Sequence, residues 1–185
     1  SHPTTGEPNV FHTEDETQIG VIFPKHLQQQ ILQALRQNHP YEEVAFEIYT
    51  LENEHQHIGM GMIGELNKAM SEKDFLAYLK ERMQVSVVRH SALLGKDVQK
   101  VAVLGGSGAF AIENAKHAKA DVYITADLKY HEFFKAEGQI LLADIGHFES
   151  EQYIKSLLFD YLSKIFPTFA LSISNVDTNP IKYYS

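Results

Sequence analysis

Two short apolar runs in the second half of the chain are each bounded by polar residues or glycine. They are DVYITA (residues 121–126) and QILLAD (residues 139–144), and together they are rich in Val, Ile, Leu and Tyr. Short runs of this composition are typical of β-strands. Because both runs are apolar on both faces, they predict interior strands of a parallel sheet covered by helices. Between them, residues 128–138 predict a short helix that ends at Gly138.

Strands alternating with helices are predicted throughout residues 58–185. Further strands are predicted at 58–66, 85–90, 100–105 and 170–175, and further helices at 71–83, 109–119 and 148–166. Two of these helices have apolar residues at helical spacing, which predicts a buried stripe on each. The stripes are Phe75, Leu76, Leu79 and Met83 in one helix, and Ile154, Leu157, Leu158, Tyr161, Leu162 and Ile165 in the other. The alternation predicts an α/β fold with a mostly parallel sheet covered by helices.

Residues 1–57 have a different pattern. Residues 1–17 are polar and without periodicity, so we predict an irregular lead-in. Residues 18–24 predict a strand, and residues 25–38 predict a helix that ends before Pro40, because a proline disfavours helical backbone at the residue before it. Residues 44–52 alternate apolar and polar side chains, as a strand with one solvated face does. These elements form a β-α-β unit that is too small to be a complete domain.

Charge and composition exclude several classes of protein. The formal net charge is -8 without a cluster of Lys and Arg, which argues against a nucleic-acid surface. We also expect no membrane contact, because no apolar run approaches the ~18 residues that a membrane span requires. The chain has no Cys, so it has no disulfide and no thiolate metal ligand. Its ten His residues are the natural nitrogen donors for a metal. We expect a cytoplasmic protein.

Polar residues follow the two apolar runs, and these positions are where we look for chemistry. In a parallel sheet the chain leaves every strand at the same edge, and ligands bind where those exits cluster. The residues at the two exits are Thr125, Asp127 and His131 after the first run, and Asp144, His147, Glu149 and Glu151 after the second. The sequence therefore predicts a functional site at this edge.

His147 and Glu151 are four residues apart at a predicted helix start, so their side chains lie on one face and could reach one cation. An imidazole and a carboxylate suit zinc, manganese, iron or nickel. Spacing alone equally allows acidic residues that stabilise a helix N-terminus, with His147 a chance neighbour. A second group of polar residues consists of Asp127, Lys129 and His131. They could hydrogen-bond to the metal ligands, transfer a proton or supply an extra ligand. Polar surface residues at a helix cap explain them nearly as well.

The segment GGSGAFA (105–111) lies between a predicted strand and a predicted helix. Gly106, Gly108 and Ala111 fit the dinucleotide pattern G-x-G-x-x-A, and Asp127 lies about twenty residues further on, where a ribose-binding acid would be. A tight turn that needs glycine only for its backbone freedom explains the segment at least as well. Contact with a phosphate or another small anion is a third interpretation.

Three blocks of the sequence, KVAVLGGSG, ADVYITADLKYHEFF and ILLADIGHFESE, occur in this order. With the C-terminal DTNPIKYY, they resemble the second half of the Nif-three-like family of dinuclear-metal proteins, some of which carry the label type-two GTP cyclohydrolase. GHFESE is the most specific block. Residues 18–57, with HPYEEVAFEIY, look like the end of the ferredoxin-like PII or CutA module that longer members insert between their halves. Residues 58–185 would then be the second half of the metal-binding domain.

The resemblance implies that His147 and Glu151 are metal ligands. It also implies a dinuclear-metal hydrolase that acts on a nucleotide or another small molecule, with Asp127 and His131 as catalytic residues. Thr125, Gly106 and Gly108 would contact the substrate. Two cations about 3.5 to 4 Å apart would activate a bridging water. The resemblance also implies a homo-oligomer in the form of a ring-shaped hexamer.

One departure from the family pattern is large. The family completes its metal pair with a His-His pair and an Asp from the first half, and this sequence contains no His-His dipeptide. We therefore expect a C-terminal fragment, or a truncated relative, of a full-length metalloprotein. The alternative function is a non-enzymatic metal-binding or regulatory scaffold that forms a ring through its PII-like module.

Overall fold

The computed structural model describes residues 11, 13, 15–53 and 58–184. The chain divides into two compact units, Ser1–Glu54 and His55–Ser185. Most of the lead-in predicted for residues 1–17 lies outside the described residues. Residues 11, 13 and 15–17 are exposed and have no regular secondary structure.

The described residues of the first unit include one regular helix. A 3-10 turn, Lys25–Leu27, continues into helix α1, Gln28–Asn38. His39 then has extended backbone, with φ -79° and ψ 136°, as its place before Pro40 requires. The predicted helix and its end are both confirmed.

The two strands predicted beside this helix are wrong. Residues 18–24 and 44–52 have no regular secondary structure, and the β-α-β module of the ferredoxin-like type is not confirmed. Their apolar side chains are exposed: Ile22 is 86% exposed and Tyr49 is 74% exposed. Alternation identifies the face a strand would bury, but a strand also needs partners to pair with, and a lone pair of strands is marginally stable in water.

The second unit is built on a five-stranded sheet with the strand order β1-β3-β4-β5-β2. The strands are β1 Met62–Ser71, β2 Arg89–His90, β3 Asp97–Ser107, β4 Val122–Ala126 and β5 Leu141–Asp144. The three central strands β3, β4 and β5 are parallel, and the edge strands β1 and β2 pair antiparallel with their neighbours. All residues of β4 and β5 are buried. The predicted α/β class and the interior position of these two strands are confirmed.

Helices cover both faces of the sheet. Helix α2, Glu72–Met83, packs Phe75 and Leu79 against Val122 and Leu141 on one face. Its N-terminus is capped, because the Ser71 hydroxyl accepts a hydrogen bond from the Asp74 amide. On the other face, Tyr123 and Leu142 pack against residues of helix α3, Ile112–His117, and of the 3-10 helix Tyr130–Ala136. Successive strand residues therefore point to different cores.

Several element bounds differ from the prediction. The segment predicted as a helix at 128–138 is the 3-10 helix Tyr130–Ala136, and a 3-10 turn, Ala109–Ala111, precedes α3. The predicted last helix is two helices, α4 His147–Glu151 and α5 Ile154–Ile165. Residues 170–175 form no strand, and only the last two residues of the strand predicted at 85–90 pair.

The apolar stripe of α5 is not buried. Its side chains face solvent in this unit, with Leu157 65% exposed and Tyr161 61% exposed, and α5 has no buried residue. Helical periodicity thus predicted the helix correctly but not its burial. Among the described residues, no helix has both the length and the apolar character that crossing a membrane would require.

We predict stability effects of very different size for two leucines that look equivalent in sequence. Leu142→Ala empties a fully buried position in β5 and should lower the free energy of unfolding by about 2–5 kcal/mol. In the monomeric chain, Leu157→Ala on the exposed face of α5 should change it by no more than about 0.5 kcal/mol. Urea denaturation of both variants measures the difference. Equal losses would show that α5 is buried against another surface.

Candidate functional site

The candidate site lies where the parallel strands β4 and β5 end. Thr125 of β4 lies opposite Asp144 of β5, so the two chains leave the sheet side by side. Both then turn sharply through positive φ angles, 57° at Asp127 and 92° at Gly146. This geometry brings the residues after the two strands together, as the sequence predicted for this edge.

His147 stands between two carboxylates. Its Nδ1 lies 2.6 Å from Oδ2 of Asp127, and its Nε2 lies 3.4 Å from Oε2 of Glu151. His147 and Glu151 are one turn apart in α4, which places both on one face of the helix. About half of each of these three side chains is exposed, so the group is open to solvent.

His147 and Asp127 perturb each other electrostatically, and Glu151 acts on His147. The hydrogen bond to Asp127 is the main reason that the pKa of His147 is raised, and the charge of Glu151 adds to it. Hydrogen bonds from Ser107 and His147 hold the pKa of Asp127 below its ordinary value. Asp127 is therefore a carboxylate that holds the ring of His147 through Nδ1.

The glycine-rich segment 105–108, which is the irregular end of β3 and the loop that follows it, passes directly beneath this group. A Cβ atom on Gly106 would lie 2.5 Å from Oε1 of Glu151 and 3.4 Å from Cε1 of His147. The Gly106 amide donates to the Ser150 hydroxyl, which in turn donates to the carbonyl of His147. Side chains of α4 thus fill the space that a pyrophosphate would need over Gly106. This packing favours the tight-turn interpretation of the glycines over the dinucleotide interpretation.

Thr125 and Gly108 lie below the loop. Thr125 is fully buried, and its hydroxyl donates to the carbonyl of Gly106 at 3.1 Å. The Tyr123 hydroxyl donates to the carbonyl of Gly108 at 2.8 Å, and a Cβ atom on Gly108 would lie 2.1 Å from Oγ1 of Thr125. These residues shape the floor of the site. Their predicted contact with a substrate, like that of Gly106, stays a prediction.

His131 is not drawn into the group. It is exposed in the 3-10 helix after Asp127 and, within the described part of the chain, its side chain makes no hydrogen bond or ion pair. Lys129 is exposed at the start of the same helix, where its amide donates to Glu132. The catalytic role predicted for His131 stays a prediction, whereas Asp127 contacts His147 directly.

Sequence reasoning missed several residues that support the site. The Ser107 hydroxyl donates to Asp127, and the Asn179 side chain donates to Oε1 of Glu149 at 3.0 Å. Arg89 donates to the carboxylate of Asp144 from the neighbouring strand β2, which is 55 residues away in the sequence. A short-range pattern cannot identify these partners, because the fold brings together residues that are far apart in the chain. For Asn179, the sequence offered one indication of a role at the site, because Asn179 belongs to the C-terminal block DTNPIKYY that carries the family resemblance.

The donor set fits part of a metal site. A hydrogen bond from the other ring nitrogen to a carboxylate is the usual arrangement for a His that binds metal, and here Asp127 accepts that bond. Nε2 of His147 and the Glu151 carboxylate would then supply two donors. No group of three or more His, Cys, Asp or Glu side chains in the described ranges is arranged to hold a metal ion. The other coordination positions therefore need donors from outside this group.

Comparison with known proteins gives a consistent result. A model of the family Duf34/NIF3 (NGG1p interacting factor 3) matches residues 10–180. A Bacillus subtilis protein named GTP cyclohydrolase 1 type 2 homolog is 34% identical over 98% of this chain and 50% of its own length. A protein of the same name from Listeria monocytogenes is 35% identical over 99% of this chain and 50% of its own length.

The solved structures agree with the sequence comparisons. A Bacillus cereus protein related to NIF3 superposes with a TM-score of 0.69 and 32% identity, over 88% of this chain and 46% of that protein. This chain spans about half the length of the curated relatives that it matches.

We predict that two neighbouring glycines tolerate alanine very differently. Gly106→Ala places a methyl group against Glu151 at a position with φ +68°, so it should displace Glu151 and strain the loop. Gly105→Ala is the matched control, because its Cβ atom would meet Ser150 at an ordinary 3.5 Å. Crystal structures of the two variants measure the positions of Glu151 and His147. An undisturbed Glu151 in Gly106→Ala would contradict this packing.

We predict that Asp127→Asn lowers the pKa of His147, because the asparagine carries no charge to stabilise the imidazolium. An NMR titration of His147 measures the change. Asp177→Asn is the control: it removes a carboxylate that pairs with Lys182 and should leave the titration of His147 unchanged. An identical titration of His147 in Asp127→Asn would contradict the assigned cause.

The same pair gives a stability dependence on pH. The raised pKa of His147 means that its contribution is fully present below the ordinary pKa of 6.5 and is lost as pH rises through the raised value. The lowered pKa of Asp127 means that its contribution is present above 3.8 and is lost as pH falls through the lowered value. The stability difference between wild type and Asp127→Asn should therefore be largest between pH 3.8 and pH 6.5. Urea denaturation at several pH values measures it. If this stability difference were larger at pH 9 than between pH 3.8 and 6.5, the result would contradict the assigned pKa shifts.

Proposed function

This chain belongs to the Duf34/NIF3 family, and from that premise we propose that it supplies part of a divalent-metal site in a hydrolase-like protein. One observation carries the proposal: His147 is held by Asp127 through Nδ1 while its Nε2 faces Glu151. An imidazole nitrogen and a carboxylate oxygen suit zinc, manganese, iron or nickel.

Each residue of the group has a distinct part in the proposal. Asp127 accepts the Nδ1 proton of His147, which fixes the tautomer whose Nε2 has a free lone pair and makes that nitrogen a better donor. Glu151 supplies an oxygen on the same face of α4. Gly106 leaves room for both side chains above the loop. A bound cation would supply an activated water and polarise the bond that the water attacks.

The remaining donors would come from a part of the protein that this chain does not contain. The curated relatives are about twice as long as the stretch that matches this chain, so they have ample sequence for them. A homo-oligomeric ring, which the family resemblance implies, is also part of the proposal. The exposed apolar face of α5 supports it, since an assembly could bury that surface.

The proposed substrate is a nucleotide or another small heterocyclic molecule. The support is the name GTP cyclohydrolase 1 type 2 homolog that the Bacillus subtilis relative carries. In this proposal Asp127, which contacts His147, accepts a proton beside the metal ligands, while His131 would act from the exposed 3-10 helix. The alternative is a metal-binding scaffold without catalytic turnover.

We predict that His147→Ala weakens Zn²⁺ binding to this chain strongly, because it removes the nitrogen donor. Glu151→Gln should weaken it less, since an amide oxygen remains. His131→Ala is the matched control and should bind Zn²⁺ as the wild type does, because His131 lies outside the group. Isothermal titration calorimetry measures the three affinities. Equal affinities for His147→Ala and wild type would remove the basis of the proposal.

Zn²⁺ affinity should also fall as the pH is lowered through the raised pKa of His147, because a proton then competes for Nε2. In a full-length protein that contains this chain, turnover of GTP separates the enzyme from the scaffold. Metal binding without turnover would favour the scaffold. Turnover that survives His147→Ala at saturating metal would contradict a catalytic role for this site.

A further inference from the structure

A buried carboxylate ties together the two turns that carry the site. Asp144, the last residue of β5, is 5% exposed. It accepts hydrogen bonds from the amide of Leu128 at 2.8 Å and from the amide of Gly146 at 3.0 Å. Leu128 directly follows Asp127, and Gly146 directly precedes His147. One side chain therefore fixes the backbone next to both members of the His147–Asp127 hydrogen bond.

Arg89 completes this connection from the edge strand. It lies opposite Asp144 in the pairing of β2 with β5, and its guanidinium donates both to the Asp144 carboxylate and to the carbonyl of Leu128. The guanidinium carbon also lies 5.4 Å from the centre of the Phe133 ring. The buried charge of Asp144 is thus paired and hydrogen-bonded, which is the condition under which such a charge is tolerated.

We propose that Asp144 and Arg89 are positioning residues that hold the Asp127 turn and the His147 turn together and so aim Nε2 of His147 at the cation position. This inference rests on the proposed metal site. The pair touches neither donor atom, and it acts through the backbone of Leu128 and Gly146. The hydrogen bond between His147 and Asp127 can be measured before any metal is added.

Three variants of the full 185-residue chain test the proposal. Asp144→Asn keeps the side-chain shape, but its amide nitrogen cannot accept a backbone hydrogen bond. Arg89→Met keeps much of the length of the side chain and removes the guanidinium. Glu72→Gln is the matched control: Glu72 is also 5% exposed and also accepts backbone hydrogen bonds, from Leu94 and Gly95 rather than from the site.

Long-range ¹H–¹⁵N NMR of His147, assigned with His147→Ala, reports the state of each ring nitrogen. Asp144→Asn and Arg89→Met should shift both nitrogens toward the values of Asp127→Asn, and Glu72→Gln should leave them unchanged. The dissociation constant for Zn²⁺ should rise about tenfold to a hundredfold in the first two variants, as on loss of groups that orient a metal ligand. Denaturant midpoints show whether Glu72→Gln costs stability to a similar degree.

Unchanged nitrogen shifts in folded Asp144→Asn would overturn the proposal, and so would equal shifts in Glu72→Gln, since a general loss of stability would then explain both. If Asp144→Asn does not fold, the same criterion applies to Arg89→Met: unchanged nitrogen shifts of His147 in that variant would overturn the proposal. If Asp144→Asn shifts the nitrogens but the wild type binds no Zn²⁺, the positioning role stands and the proposed metal site fails.

Discussion

The parallel pairing of β4 with β5 is the constraint on which the site depends. Thr125 lies opposite Asp144, and both strands are buried along their whole length. A slip of one residue would turn every side chain to the other face, so packing on both faces fixes the register. With the register fixed, the turns after the strands emerge side by side. Asp127 and His147 meet there although twenty residues separate them.

Periodicity was enough to predict the parts of the fold that are buried. The strands β4 and β5 are apolar on both faces, and the apolar stripe of α2 has helical spacing. The local sequence therefore predicts which faces of these elements are buried. The same holds for His147 and Glu151, whose four-residue spacing in α4 places them on one face. Their position beside Asp127, which follows β4, came from the rule that parallel strands end at one edge of the sheet.

What sequence could not supply was the identity of distant partners. Residues 18–24 and 44–52 were predicted as strands but form none, and α5 has an apolar stripe without a buried residue. Apolar pattern shows which surface an element would bury, not what covers it. Likewise, the bonds from Ser107 to Asp127 and from Arg89 to Asp144 join separate strands and turns. Such pairs depend on the finished topology.

In the proposed site, His147 and Glu151 direct their donor atoms at one cation position. A crystal structure of the zinc-loaded chain, with anomalous diffraction at the zinc edge, tests it most directly. We expect a zinc peak at about 2.0–2.2 Å from both Nε2 of His147 and the carboxylate of Glu151. A well-occupied zinc at other His residues, with none between these two side chains, would contradict it.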